Sequence, residues 1–169
     1  MPVPHPKGRD REQILALLAS AQAHIRAGSH VEAASQYRLL LLDPALDDMP
    51  GIRTEVLANY GALLLREARL PDTPDAETRL EMAIDLLSRA RMGYRLGQGT
   101  GSSVTADTNL ALAYFQRHLA TGRYADLMSA HMVLDGAEAA AADAPDMLDW
   151  VRSTRDLLLE HVDRRRNPR

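Results

Sequence analysis

The six histidines are the side chains best suited to bind a metal ion or to exchange a proton near neutral pH. They are His5, His24, His30, His118, His131 and His161. No two of them are four residues apart, the spacing that places two imidazoles on one helix face for zinc, and the Glu-x-x-His signature of di-iron bundles is missing. The chain also has no cysteine. We therefore predict no metal site.

A glycine-rich segment, residues 97–105 with the sequence GQGTGSSVT, leads into a predicted helix. Backbone amides of such a loop can bind phosphate at a helix N-terminus. A Walker loop, however, needs a Lys before its Ser or Thr and a strand in front, whereas Gly101 is followed by Ser102 and a helix precedes the loop. We interpret residues Gly97–Ser103 as a linker, with binding of an anion or a small ligand as the alternative.

No constellation of catalytic residues is evident. Serines lack the Gly-x-Ser-x-Gly pattern of a nucleophile elbow, and a thiol nucleophile is excluded by the absence of cysteine. Asp47 and Asp48, shortly before Pro50, are typical of a helix cap rather than of general acid or base chemistry. The sequence therefore predicts a protein that is not an enzyme and that needs no cofactor.

Composition and charge exclude further classes. The 169 residues carry a formal net charge of -3, whereas a protein that binds the nucleic-acid backbone needs a clustered positive surface. We interpret the basic C-terminal cluster as a solvated helix end; it consists of Arg164, Arg165, Arg166 and Arg169. The segment Met1–Lys7 has three prolines and no apolar run behind it, so we expect neither a signal peptide nor a membrane span, and a cytoplasmic location.

Apolar residues recur at helical spacing along the chain, and no alternating segment of strand length is present. We predict seven helices and an all-α fold; they span about 11–27, 29–42, 50–69, 74–96, 106–120, 123–142 and 146–166. Capping boxes are predicted at Asp10 with Gln13 and at Ser29 with Glu32. Short turns force successive helices to be antiparallel, so the candidates are an irregular helical bundle and a stack of helix hairpins.

Three segments favour the stack. Ala33-Ala34, followed by Tyr37 and Asp43-Pro44, resembles the second helix of a tetratricopeptide repeat, and Tyr60-Gly61 with Leu64 resembles a first helix. Asn109-Leu110-Ala111 with Tyr114 repeats the first-helix pattern. The resemblance covers about residues 11–142. It implies a single domain over residues 10–166, between a disordered tail at 1–9 and a short tail at 167–169; its units span about 10–49, 50–98 and 103–145, with a capping helix at 146–166.

In tetratricopeptide proteins the first helices line a concave groove that holds a peptide or helix of a partner. Carried onto this chain, the resemblance implies nine groove-facing residues: Gln22 and Arg26 in the first unit, Glu55, Asn59 and Arg66 in the second, and Thr105, Thr108, Asn109 and Gln116 in the third. Asn59 and Asn109 occupy equivalent places in their units. Their amides could hold a peptide backbone without reading its sequence, because an amide both donates and accepts hydrogen bonds.

The resemblance thus implies an adaptor or chaperone-like module that binds another protein, without nucleic acid or membrane as a partner. Two alternatives stay open. One is a self-associating structural subunit, in which residues 137–142 together with Leu134 and Met132 present a smooth helix face to a second copy. The other is a helical enzyme or ligand-binding protein that uses the Gly97–Ser103 loop.

Overall fold

The computed structural model describes residues 8–166, and within that range it contains helices and no strand. The predicted all-α fold is confirmed. The helices are α1 (Arg11–Arg26), α2 (His30–Leu41), a short 3-10 helix (Pro44–Asp48), α3 (Pro50–Ala68), α4 (Ala76–Arg95), α5 (Ser103–Thr121), α6 (Tyr124–Ala140) and α7 (Pro145–Arg166). None of these helices is long and apolar enough to cross a membrane.

Each helix packs chiefly on the next helix in the chain, and α3 also contacts α5, which in turn contacts α7. The turns after α1 and α5 reverse the chain at Gly28 and Gly122, whose φ angles of 77° and 73° lie in the left-handed region that glycine adopts without strain. Short connections of this kind make the neighbouring helices antiparallel.

Small residues let the paired helices approach closely. A Cβ atom on Gly61 in α3 would lie 2.7 Å from Cγ of Leu87 in α4, so only glycine fits there with the present spacing. The corresponding positions of α1 and α5 carry Ala21 and Ala111, both 0% exposed. The small residues of the sequence pattern are therefore buried, and at Gly61 the two helices are too close for a larger residue.

Three details of the predicted helix starts differ from the structure. The Asp10–Gln13 capping box is present, but Ser29 makes no cap hydrogen bond with its side chain. The fifth helix begins at Ser103, three residues before the predicted start, since the final residues of the glycine-rich segment are already helical. The start of α3 is capped at Met49 without a side-chain bond, because Asp47 and Asp48 belong to the 3-10 helix.

The predicted tails fall mostly outside the described residues, which exclude 1–7 and 167–169. Arg9, which falls in the predicted disordered tail, is bonded to the start of the 3-10 helix: its Nη1 donates to Oδ2 of Asp43 over 2.8 Å. At the other end, α7 is joined to α6 by ion pairs: Arg155 lies 2.8 Å from Asp135 and 3.0 Å from Glu138. The predicted capping helix is therefore held by charge as well as by apolar contacts.

Candidate binding groove

Two adjoining depressions separate α3 from α5. The smaller has a volume of about 160 Å³ and is lined by Ala58, Asn59, Ala62, Tyr94, Gly101, Ser102, Thr105, Ala106 and Asn109. The larger has a volume of about 440 Å³ and is lined by Ala62, Leu65, Arg66, Arg69, Leu70, Asn109 and Leu112. Because Ala62 and Asn109 line both, the two form one continuous surface, which we call the α3–α5 groove.

The lining residues show how the two helices run. Asn59 shares one end of the groove with Thr105, and Arg66 shares the other end with Leu112, so α3 and α5 are parallel. From Asn59 to Arg69 the groove follows ten residues of α3, which corresponds to about 15 Å at the helical rise of 1.5 Å per residue. An extended peptide covers that length with about four to five residues.

Asn59 and Asn109 supply the polar groups at the narrow end of the groove. Both side chains are partly exposed, and neither amide forms a hydrogen bond with any residue in the range 8–166. Each amide offers two N–H donors and one carbonyl acceptor. The pair can therefore bond both the carbonyl and the N–H groups of a peptide backbone.

The wide end of the groove is positively charged. Arg66 and Arg69 line it and are exposed, and neither forms an ion pair with a carboxylate of the described range. Leu65 and Leu112 supply an apolar floor between the arginines and the asparagines. A ligand with a carboxylate at one end and an extended polar backbone would match this order of groups.

Of the predicted groove residues, Asn59, Arg66, Thr105 and Asn109 are brought together in this groove. The remaining five line neither depression: Gln22, Arg26, Glu55, Thr108 and Gln116. Gln22 and Arg26 belong to α1, which packs on α2. The side chain of Gln116 is partly exposed farther along α5.

Thr108 is a correction to the sequence-based set. It is 0% exposed, and its hydroxyl donates to the carbonyl oxygen of Val104 over 2.7 Å, one helical turn earlier. A buried threonine commonly satisfies its hydroxyl in this way. Thr108 is therefore a core residue of α5, and its neighbour Asn109 faces the groove instead.

Glu55 binds the glycine-rich loop. Its Oε1 atom accepts hydrogen bonds from the backbone N–H of Thr100 over 3.0 Å and from the Thr100 hydroxyl over 2.7 Å. The carboxylate of Glu55 is thus already bonded to the backbone amide of Thr100, which an external anion would need. Its negative charge also repels a second anion. Burial, and secondly the charge of Glu55, raise the pKa of Tyr94, which keeps its hydroxyl neutral beside the groove.

The sequence reasoning missed Ala62, Arg69 and Leu112. Helical periodicity could have found them, because positions three, seven and ten after Asn59 are Ala62, Arg66 and Arg69, all on one face of α3. The same rule applied to Asn109 predicts Thr105 and Leu112 on α5.

His118 is 3% exposed, and its Nδ1 lies 2.9 Å from the carbonyl oxygen of Arg123, so its side chain links the two ends of the turn between α5 and α6.

Among residues 8–166, no three His, Asp or Glu side chains are grouped so as to hold a metal ion. The residues of the predicted self-association face lie on both sides of the helix end: Leu134, Ala137 and Ala141 are 0% exposed, whereas Met132, Ala139, Ala140 and Ala142 are exposed.

The groove therefore combines two unbonded amides, an apolar floor and two exposed arginines, all positioned by two parallel helices. Comparisons with protein-family models, with curated proteins and with solved structures give no significant match for this chain.

Proposed function

We propose that this chain is a non-catalytic, tetratricopeptide-like protein-binding module whose α3–α5 groove holds an extended segment of a partner protein. The observation that carries the proposal is the pair Asn59 and Asn109, whose amides line one recess without hydrogen-bond partners in the described range. Both side chains are partly exposed, so water can satisfy their amides in the free protein and a ligand can replace that water. A peptide backbone offers the matching donors and acceptors.

The packing of the helices supports a stack of hairpins closed by α7. In such a stack each unit contacts only its neighbours, and successive first helices lie side by side. Here α3 contacts α5 and α5 contacts α7, and the hairpins pair α1 with α2, α3 with α4, and α5 with α6. On this reading the α3–α5 groove is the surface between the first helices of the second and third units.

The charge at the wide end suggests which segment is held. Arg66 and Arg69 can attract a carboxylate, from an acidic side chain or a chain terminus, and charge-assisted bonds of this kind are stronger than neutral ones. Thr105 at the other end adds a neutral hydroxyl. We therefore propose an acidic or C-terminal peptide as the ligand, in an adaptor or chaperone-like role.

The test is a selection of binding peptides from a random peptide library displayed on phage, followed by titration of the selected peptides against purified variants. Asn59→Ala combined with Asn109→Ala should weaken binding about tenfold or more, because each lost hydrogen bond to a buried partner costs about 1 kcal/mol or more. Arg66→Ala should weaken the binding of acidic peptides and make the remaining affinity less dependent on salt.

A matched control is Arg89→Ala, which removes an exposed arginine of α4 whose one ion pair within the described residues is with Asp85. It should leave peptide affinity unchanged. Circular dichroism should show the same helix content for all variants. The proposal is wrong if the library gives no binding peptide, or if the selected peptides bind the double asparagine variant as tightly as the wild type.

A further inference from the structure

An exposed apolar stripe runs along α6. Tyr124, Met128 and Met132 are four residues apart, which places them on one face of the helix, and they are 67%, 46% and 70% exposed. Their eight-residue span is about 12 Å, or about two helical turns. Scattered exposed apolar residues are common, but a row of three large ones on one face indicates a binding surface.

The stripe borders an apolar cleft of about 320 Å³ between the end of α5, the first half of α6 and the last part of α7. We call this the α6–α7 cleft. Its lining residues are His118, Tyr124, Leu127, Met128, His131, Leu159, His161, Val162 and Arg165. Since Tyr124 and Met128 belong to both the stripe and the cleft, the two form one continuous apolar surface.

The charged side chain that lines the cleft is a cation. No carboxylate lines the α6–α7 cleft, whereas Arg165 does, and Arg165 forms no ion pair within residues 8–166. Two nearby acids are engaged elsewhere: Asp126 bonds Arg117 over 2.7 Å, and Glu160 bonds Arg164 over 3.0 Å. Asp163, next to Val162 in the chain, is exposed. A partner bearing carboxylates would therefore find an unpaired cation at the edge of the cleft.

His161 adds an unsatisfied polar group. Its Nε2 atom is buried without a hydrogen-bond partner, while its ring packs edge-on against Phe115 and His118 at centroid distances of 5.4 and 5.5 Å. Neither of these neighbours offers a negative charge. His161 therefore has no acidic partner among these neighbours, and its ring forms part of the cleft wall.

The cleft is separate from the α3–α5 groove. His118 comes nine residues after Asn109, which at about 100° per residue amounts to a half turn beyond two full turns. The two residues therefore face opposite sides of α5. A ligand in the α3–α5 groove leaves the α6–α7 cleft accessible.

We propose that the α6–α7 cleft is a second docking site, which binds an amphipathic helix of a partner protein with an apolar face and an acidic edge. The apolar face of that helix covers Met128 and Met132 and inserts a side chain between Leu127 and Leu159, while its carboxylates meet Arg165. Two points favour a helix over an extended peptide or a small ligand: the length of the stripe, and the flexible methionines that adapt to helix faces.

The test uses the full chain and two fluorescent peptides of about four helical turns. Both carry leucines along one face; one carries glutamates on the flanks and the other lysines at the same positions. Fluorescence anisotropy should show saturable binding of the acidic peptide, with an affinity about tenfold above that of the basic one. Met128→Glu should weaken binding of the acidic peptide about tenfold or more, and Arg165→Glu should reverse the preference between the peptides.

Met92→Glu is the matched control, because Met92 is 58% exposed on α4, away from the cleft, and the variant should bind like the wild type. Circular dichroism and a thermal melt must show that Met128→Glu is folded. Absence of binding by the acidic peptide overturns the proposal, as does equal affinity for the two peptides.

Loss of binding in the Asn59 and Asn109 variant but not in Met128→Glu would place the peptide in the α3–α5 groove. A mass that rises with concentration, and does so only with Met128 intact, would make a second copy the occupant.

Discussion

Glu55 of α3 accepts two hydrogen bonds from Thr100, forty-five residues later in the chain, through its backbone N–H and its hydroxyl. The bonds fix the glycine-rich loop against α3. Gly101 and Ser102, which follow directly, line the narrow end of the α3–α5 groove. The carboxylate therefore shapes the groove without lining it.

Removing this carboxylate should release the loop. In Glu55→Ala we expect the Thr100 amide to exchange its hydrogen about tenfold faster, since one lost hydrogen bond to a charged group is worth about 1.5–3 kcal/mol and local opening governs exchange. Glu55→Gln keeps an acceptor oxygen and should retain most of the protection. Hydrogen exchange followed by NMR would measure the rate at the Thr100 amide in each variant. Equal exchange in Glu55→Ala and the wild type would show that other contacts fix the loop.

The helices could be predicted from the sequence because apolar spacing and turn glycines are local signals. The Glu55–Thr100 contact could not, because it depends on how α3 and the loop meet in space. Thr108 illustrates the same limit. Its polar side chain suggested a surface position, yet it shares the buried face of α5 with Val104 and Ala111, and its bond to the Val104 carbonyl makes burial acceptable.

Four of the predicted groove residues lie close together for a similar reason: Asn59, Arg66, Thr105 and Asn109. Where two helices are in contact, as α3 and α5 are, helical periodicity places residues of one face together. The alanine-rich α6 is apolar on more than one face, so its sequence does not say which face is covered. Only the packing shows that Leu134 is inside, whereas Met132 is exposed.

Gly93 and Gly136 are both helical glycines, but they should respond oppositely to alanine. A Cβ on Gly93 would overlap the Thr54 side chain, which is 2% exposed, so Gly93→Ala should lower the free energy of unfolding by about 1–3 kcal/mol. At Gly136 the nearest atom lies 3.7 Å away, and alanine should instead stabilise by about 0.5–1 kcal/mol, owing to its higher helix propensity. Urea unfolding would measure both.

Combining Gly93→Ala with Thr54→Ala should recover part of the loss, because the second substitution removes the overlapping atoms. A Gly93→Ala variant as stable as the wild type would mean that α3 and α4 separate slightly at little cost. Such a result would contradict the close packing described for this pair.

Asp126 joins α6 to α5 through two hydrogen bonds from Arg117, of 2.9 and 2.7 Å, and both side chains are largely buried. Asp126→Ala leaves the Arg117 guanidinium without its partner. We expect the free energy of unfolding to fall by about 3–5 kcal/mol, since removing one partner of a buried ion pair leaves the other charge uncompensated.

The control is Asp85→Ala, which breaks the exposed pair with Arg89 and should cost about 0–1 kcal/mol. Denaturant unfolding would measure the free energy of unfolding of the two variants and of the wild type. Similar losses for Asp126→Ala and Asp85→Ala would indicate that water reaches Arg117 readily.

His161 should make the docking of α7 sensitive to acid. Burial, followed by the charges of Arg165, His118 and Arg164, lowers its pKa below the ordinary 6.5, and no carboxylate faces its ring from α5, α6 or α7 within the described residues. The unfolded chain therefore binds the proton more readily than the folded chain. Stability from this residue is present above about pH 6.5 and decreases as the pH falls from there towards the lowered pKa.

His161→Phe keeps an aromatic ring against Phe115 and removes the titration. We expect the free energy of unfolding to fall less between about pH 7.5 and pH 5.5 in this variant than in the wild type, since the difference isolates the protonation of His161. Urea unfolding at the two pH values measures it, and amide exchange in the last turns of α7 shows whether the loss begins there. Parallel pH dependence in the two proteins would mean that protonation of His161 is tolerated in the folded state, with water accepting a hydrogen bond from the charged ring or the ring turning towards solvent.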